Sequence, residues 1–248
     1  PAVIQALYEE MKAPIYVISS NLLQAQKLAD DLRSLIGEQN VFYYPADEFI
    51  AANIAISSPE LRAQRIATLE KLVAKERGVY IIPIAGMRNM MTPYEQWKNS
   101  CLSTQVGDDI SLDEWLEKLV EMGYTRNQMV TTPGEFALRG GILDIYPPYA
   151  ESPIRLELFD TEVDSIRAFS ADNQRSIEKL DSVTILPAKE IILSSKQQED
   201  LAARLEKGLA ASLKKIKSET VQTLLVENIQ HDIALLRQHI VPDGINKY

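Results

Sequence analysis

The chain has 248 residues, of which 46% are hydrophobic and 25% are charged, and its formal net charge is -9. This composition allows a buried core, and the acidic balance excludes a chain-wide nucleic-acid surface, which would be basic. A single cysteine, Cys101, excludes an internal disulfide or a cysteine-based zinc site and favours a cytoplasmic protein. No stretch approaches the ~20 apolar residues of a membrane helix, and the start at Pro1 indicates a fragment of a longer chain.

The N-terminal part alternates helices and strands. The predicted elements are helices over about 2–11, 21–37 and 58–77, and strands over 15–18, 41–44 and 79–84. Asn21 is the expected N-cap of the second helix, and Ser58 that of the third. The runs 15–18 and 79–84 are continuously apolar, which is typical of buried parallel strands. We therefore predict a parallel α/β domain over residues 1–98.

The middle part, residues 99–186, contains mainly strands. Ser111 and Glu114 form a predicted capping box for a helix that ends near Met122. The strands predicted after it span 136–138, 141–146, 154–159 and 163–169. Their apolar residues alternate with polar ones, as in an antiparallel sheet with one buried side. We predict an inserted α+β domain here.

The last part, residues 187–248, is predicted to be a helical arm that returns to the first domain. Its first helix is expected to begin at Ser195 with Gln198 three residues later, and its second helix to span 219–239. The predicted fold class is therefore α/β, with an inserted antiparallel-sheet domain and a C-terminal helical arm.

The sequence shows no pattern for catalysis or metal binding. None of the ten glycines begins the G-x-x-x-x-G-K-[ST] run of a phosphate loop, although such a loop could precede Pro1. Asp47 and Glu48 follow a proline that has already ended their strand, so we interpret them as a solvated turn rather than a magnesium site. His231 and His239 lack an evident third ligand. We expect no catalytic residue, no metal ion and no cofactor in this fragment.

The most informative stretch is 131–169. Alternation along strand 154–159 places Arg155, Glu157 and Phe159 on one face. Arg139 ends an earlier strand, and its direction depends on how the following Gly-Gly turn bends. Exposed arginines beside a phenylalanine have the composition of a protein interface. The alternative is a salt-bridged sheet face in which Glu157 pairs with Arg155.

These residues also carry a resemblance. The segments GEFALRGGILDIYP and PIRLELFDTEVDSIRAF resemble a region shared by the excision-repair protein UvrB and the transcription-repair coupling factors (Mfd). SPELRAQR, SLDEWLEKLVEMGYTRNQMV and QRSIEKLDSVTILPAKEI extend the resemblance over almost the whole chain. The coupling factors fit better, because the short connection between Tyr44 and Ser58 has no room for the aromatic hairpin of UvrB.

The resemblance implies a remnant helicase-like domain without ATP hydrolysis and an inserted domain that binds the repair protein UvrA through Arg139, Arg155 and Phe159. It also implies that RNA polymerase, double-stranded DNA, ATP and magnesium are bound by other regions of the full-length protein. We expect a monomer that does not bind membranes. Two alternatives to a UvrA-recruiting module are a UvrB-type ATP-dependent helicase subunit and a structural spacer that shields another region.

Overall fold

The computed structural model describes residues 1–46, 58–88, 91–242 and 245. It has a mixed α/β fold with parallel and antiparallel sheets, and it divides into two compact units, residues 1–190 and 191–248. The predicted domain boundaries at residues 98 and 186 stay predictions. Asp47, Glu48 and most of the connection to Ser58 lie outside the described residues. None of the helices in the described ranges is long and apolar enough to cross a membrane.

The N-terminal part of the first unit contains a parallel sheet with three strands. Its elements are helices α1 (Ala2–Glu10), α2 (Leu22–Ile36) and α3 (Pro59–Val73) and strands β1 (Ile15–Ser19), β2 (Val41–Tyr43) and β3 (Val79–Pro83). β3 lies between β1 and β2 and pairs in parallel with both. Asn21 caps α2 as predicted, because its side chain accepts a hydrogen bond from the Gln24 backbone N–H at 2.8 Å. The predicted alternation of helices and strands is confirmed here.

Three details of this part differ from the prediction. β1 is an edge strand, and Tyr16 and Ile18 are 55% and 48% exposed. α3 lies on their face of the sheet but packs on the neighbouring strand β3, where Tyr80 is buried and its hydroxyl donates to the Lys71 carbonyl at 2.9 Å. A continuous apolar run does not reveal whether a second layer covers the sheet. α3 ends at Val73 rather than near Arg77, because Lys75 adopts a left-handed φ of 53°. The Ser58 hydroxyl donates to the Glu60 carboxylate and makes no hydrogen bond that caps the backbone of α3.

The rest of the first unit is built around a sheet of six strands. Its elements are helices α4 (Tyr94–Ser100) and α5 (Leu112–Glu121) and strands β4 (Leu102–Gln105), β5 (Thr125–Arg126), β6 (Glu135–Arg139), β7 (Ile142–Ile145), β8 (Ile154–Phe159), β9 (Glu162–Phe169), β10 (Ser176–Leu180) and β11 (Ser182–Ile185). The strand order is β10-β9-β8-β7-β6-β5, and all neighbours are antiparallel except β5 and β6. β4 and β11 form a separate antiparallel pair.

One face of the six-stranded sheet packs on α5. Leu143, Ile145 and Leu156 are buried there with Trp115 and Leu119 of the helix. Alternation along the strands therefore leaves the polar residues of β6 to β9 on the opposite face, as the sequence predicts. The Ser111 hydroxyl accepts the Glu114 backbone N–H at 3.4 Å, which is one half of the predicted capping box.

The second unit contains helices α6 (Ser195–Leu213) and α7 (Glu219–Arg237), which bury Ala202, Ile233 and Leu236. α6 begins at Ser195 as predicted, but its capping box is formed by Ser194 and Gln197 rather than by Ser195 and Gln198. Gln198 is buried instead, and its side-chain amide donates to the Leu193 carbonyl at 2.8 Å. α7 ends before the predicted His239, which adopts a left-handed φ of 59°.

Candidate protein-docking face

The three predicted site residues lie on the outer face of the sheet, on strands β6 and β8. Arg139 is the last residue of β6, and Arg155 and Phe159 belong to β8. Between them runs β7, in which Asp144 is directly opposite Arg155. Arg139 is opposite Ile142, two residues before Asp144, so it shares the same face. The Arg139 side chain therefore points to the same side of the sheet as Arg155. We call the four residues Arg139, Asp144, Arg155 and Phe159 the docking face.

Arg139 and Phe159 lie at the same end of the sheet, because β6 and β8 are both antiparallel to β7. The β6–β7 turn is Gly140-Gly141, in which Gly140 has a φ of 61°. A Cβ on Gly141 would lie 2.6 Å from the Leu158 carbonyl oxygen, so only glycine lets this turn lie against β8. The Leu158 backbone N–H donates to the Gly141 carbonyl at 2.7 Å, which links the turn to β8.

Asp144 holds both arginines. Its side chain is only 1% exposed although it belongs to the outer face of the sheet. Arg155 donates from Nε to Oδ1 at 2.6 Å and from Nη2 to Oδ2 at 2.9 Å. Arg139 donates from Nη2 to the same Oδ2 at 2.7 Å. One carboxylate therefore fixes two guanidinium groups and leaves the cluster with one net positive charge.

Arg155 is the covered member of the pair. Its side chain is 15% exposed, its guanidinium lies 4.3 Å from the centre of the Phe169 ring, and Nη2 also donates to the Gln174 side chain at 3.0 Å. The hydrogen bonds to Asp144 raise the pKa of Arg155 further, although burial opposes this. Arg155 thus points to the predicted face, but much of its surface is already occupied by the protein.

The predicted alternative pairing of Glu157 with Arg155 was wrong. Glu157 accepts instead from Arg167 Nη2 at 2.8 Å and from the Ser165 hydroxyl at 2.7 Å. The reason is that Asp144 lies directly opposite Arg155 and takes both of the hydrogen bonds that Arg155 makes to a carboxylate.

Arg139 and Phe159 provide the accessible part of the docking face. The Arg139 side chain is 45% exposed, and Phe159 is 80% exposed at the end of β8. An exposed aromatic ring on the same face and at the same end of the sheet as a fixed guanidinium suits a partner that offers both an apolar pocket and a carboxylate. The arrangement can bind a protein; among the described residues no group of His, Cys, Asp and Glu is placed to hold a metal ion.

A neighbouring loop supports the covered end of the face. The Glu135 carboxylate accepts the backbone N–H groups of Thr131 and Thr132 at 2.8 and 2.9 Å and the Asn127 side-chain amide at 2.6 Å. Burial raises the pKa of Glu135, but the hydrogen bonds from Thr131 and Thr132 outweigh it, and the net shift is downward. The same loop is linked to Gln174, whose side chain reaches the Val130 carbonyl at 3.5 Å.

Sequence reasoning missed Asp144, Phe169 and Gln174. The signal for Asp144 was present, because it alternates with Leu143 and Ile145, and a two-residue turn at Gly140-Gly141 fixes its register. Gln174 comes from a turn between β9 and β10, a strand that was not predicted.

Comparison with known proteins places the docking face inside a recognised domain. Residues 102–191 match the UvrB interaction domain family. The chain is 47% identical, over 98% of its length, to the transcription-repair-coupling factor of Bacillus subtilis (strain 168), of which the match covers 21%. It is 37% identical, over 93% of its length, to the transcription-repair-coupling factor of Staphylococcus aureus (strain USA300), and the match covers 20% of that protein. It is 39% identical, over 82% of its length, to that of Staphylococcus haemolyticus (strain JCSC1435), and the match covers 17% of that protein. The chain spans about a fifth of the length of these relatives.

Proposed function

We propose that this chain, which belongs to the family of transcription-repair-coupling factors, is the module that recruits the excision-repair protein UvrA and thereby links a stalled RNA polymerase to nucleotide excision repair. One observation carries the proposal. Within the match to the UvrB interaction domain, an arginine pair held by one carboxylate and an 80% exposed phenylalanine share one face of the sheet.

Each residue of the docking face has a distinct part in this proposal. Arg139 donates charge-assisted hydrogen bonds to an acidic group of UvrA, because its exposed nitrogens are not all used by Asp144. Phe159 is the apolar anchor. Arg155 and Asp144 form the base that keeps Arg139 in place, so that little side-chain entropy is lost on binding.

We further propose that the parallel α/β part and the helical unit are the remnant of a helicase-like domain that neither binds nor hydrolyses ATP. The absence of a phosphate-loop sequence from the 248 residues supports this. ATP, magnesium, RNA polymerase and double-stranded DNA are then bound by regions outside this chain. Calorimetric titration with magnesium and ATP is expected to give no binding heat. Specific binding, or hydrolysis, would favour a UvrB-type helicase subunit instead.

Titration of purified UvrA into the chain tests the recruiting function. The parent chain is expected to bind, and Arg139→Glu is expected to weaken binding by ~2 kcal/mol or more, because it places a carboxylate where UvrA offers one. The matched control is Arg204→Glu, since Arg204 is an exposed residue of α6 in the other unit. The proposal fails if the parent does not bind UvrA, or if the two variants bind equally well.

A further inference from the structure

Three basic residues lie opposite one another on three neighbouring strands, and the first of them, Arg155, belongs to the docking face. Arg155 on β8 is directly opposite Arg167 on β9, and Arg167 is directly opposite Lys179 on β10. We call these three residues the basic row. Like charges directly opposite each other destabilise a sheet, so this register is unfavourable for the free protein. Departures from local rules of this kind are concentrated at functional sites.

The protein neutralises the basic row only in part. Arg155 has Asp144, and Arg167 has Glu157 at 2.8 Å. Lys179 is exposed and makes no ion pair with any described residue. Arg167 Nε is buried and, within the described part of the chain, has no hydrogen-bond acceptor. A buried unpaired donor destabilises the free protein, so reorientation of Arg167 toward an external acceptor is favoured.

The basic row is continuous with the docking face. It begins at Arg155, and the Arg167 side chain is 31% exposed on the same side of the sheet. It ends at β10, which is the edge strand of the sheet and is exposed along most of its length. A partner seated on Arg139 and Phe159 that extends across the sheet toward β10 therefore meets Arg167 and Lys179 next.

We propose that UvrA binding extends along the basic row, and that Arg167 and Lys179 bind carboxylates of UvrA. This inference rests on the proposed function and deepens it. Adjacent strands are ~4.8 Å apart, which is close to the ~5–6 Å between side chains three or four residues apart on a helix. An acidic helix face thus fits the row. The net charge of -9 disfavours nucleic acid, whose phosphates extend along the strand beyond the three residues of the row.

Titration of UvrA with the double variant Arg167→Gln/Lys179→Gln tests the inference. We expect at least tenfold weaker binding and a smaller loss of affinity as salt is raised, because two charged contacts are removed. The control is Lys27→Gln/Arg204→Gln, which removes the same charge at exposed residues of α2 and α6. Lys179→Gln alone is the second variant; it leaves the Arg167–Glu157 pair intact and is expected to weaken binding about threefold.

The outcomes separate the inference from the proposed function. If both basic-row variants bind UvrA like the control while Arg139→Glu binds weakly, the inference is overturned and the recruiting function stands. If the parent does not bind UvrA, the recruiting function itself is overturned. If the parent binds a DNA duplex and the double variant loses that binding while keeping its UvrA affinity, the row is a nucleic-acid site and the inference is wrong.

Discussion

Arg155 and Asp144 face each other on adjacent strands and form a two-point ion pair, with Nε–Oδ1 and Nη2–Oδ2 distances of 2.6 and 2.9 Å. The pair lies on the outer face of a sheet, yet Asp144 is 1% exposed. A buried carboxylate is stable only when it is paired, and here it is paired twice, because Arg139 binds it as well. Asp144 therefore positions the docking face without being exposed to the partner.

Replacing Asp144 tests this positioning role. Asp144→Asn is expected to lower the free energy of unfolding by about 3 kcal/mol, because Arg155 loses its charged partner in a largely covered site. It is also expected to weaken UvrA binding, because the two arginines then repel each other. Urea unfolding and calorimetric titration measure the two effects. Glu157→Gln is the control, and its half-exposed pair with Arg167 should contribute less than about 1 kcal/mol. If the two variants lose equal free energies of unfolding, Asp144 has no special role in positioning the arginines.

Because Asp144 depends on Arg155, a substitution of Arg155 affects stability as well as binding. Substituting Arg155 removes the main partner of a buried acid, so the protein is destabilised whether or not Arg155 touches UvrA. A loss of binding by Arg155→Glu is therefore ambiguous. Arg139 and Phe159 are the better probes, because Asp144 keeps its two-point pair with Arg155 when either is changed.

Glu135 is expected to make the stability of the first unit depend on acid pH. Its pKa is lowered in the folded chain, so its stabilising effect is fully present above the unfolded value of about 4.3 and is lost as the pH falls through the lower folded value. The difference in melting temperature between the parent and Glu135→Gln should thus be constant near neutral pH and shrink below about pH 4. Glu151→Gln, at an exposed acid, is the control. A difference that does not change with pH would contradict the role given to the Thr131 and Thr132 hydrogen bonds.

Substitution by alanine is expected to lower stability at one glycine and to raise it at another. Gly141→Ala places a methyl group 2.6 Å from the Leu158 carbonyl oxygen and is expected to destabilise the first unit by about 1–3 kcal/mol. Gly208 is exposed in α6, and a Cβ added there would meet nothing within 4 Å, so Gly208→Ala should stabilise the second unit by about 0.5–1 kcal/mol. Thermal unfolding of both variants measures this. Destabilisation by Gly208→Ala would contradict the open space around Gly208, and no destabilisation by Gly141→Ala would contradict the close approach of Gly141 to Leu158.

The faces of the strands were predictable from the sequence, whereas their contacts were not. Alternation places Arg155 and Phe159 on one side of β8, because side-chain direction has a strict period of two. The partner of Arg155 depends on the register with β7, and sequence reasoning considered Glu157 on its own strand instead of Asp144 across from it. The exposure of Arg155 was also overestimated, since Gln174 covers it from a distant turn.

Short polar strands were missed for a related reason. β5 has two residues and β10 is the sequence SIEKL, so neither carries the apolar alternation that identifies a strand. They form because β6 and β9 offer unpaired backbone edges, which is a property of the folded sheet. The helices were more predictable, although the capping box of α6 uses Ser194 and Gln197, while Gln198 is buried and donates to the Leu193 carbonyl.

Calorimetric titration of UvrA into the parent chain and into Phe159→Ala is the most direct test of the docking face. Phe159 is 80% exposed, so its loss should leave the melting temperature unchanged and weaken UvrA binding by about 2 kcal/mol, a roughly thirtyfold rise in Kd. Leu23→Ala is the control, since Leu23 is 79% exposed on α2, and it should bind like the parent. If Phe159→Ala binds UvrA as tightly as Leu23→Ala does, the docking face is not where UvrA binds.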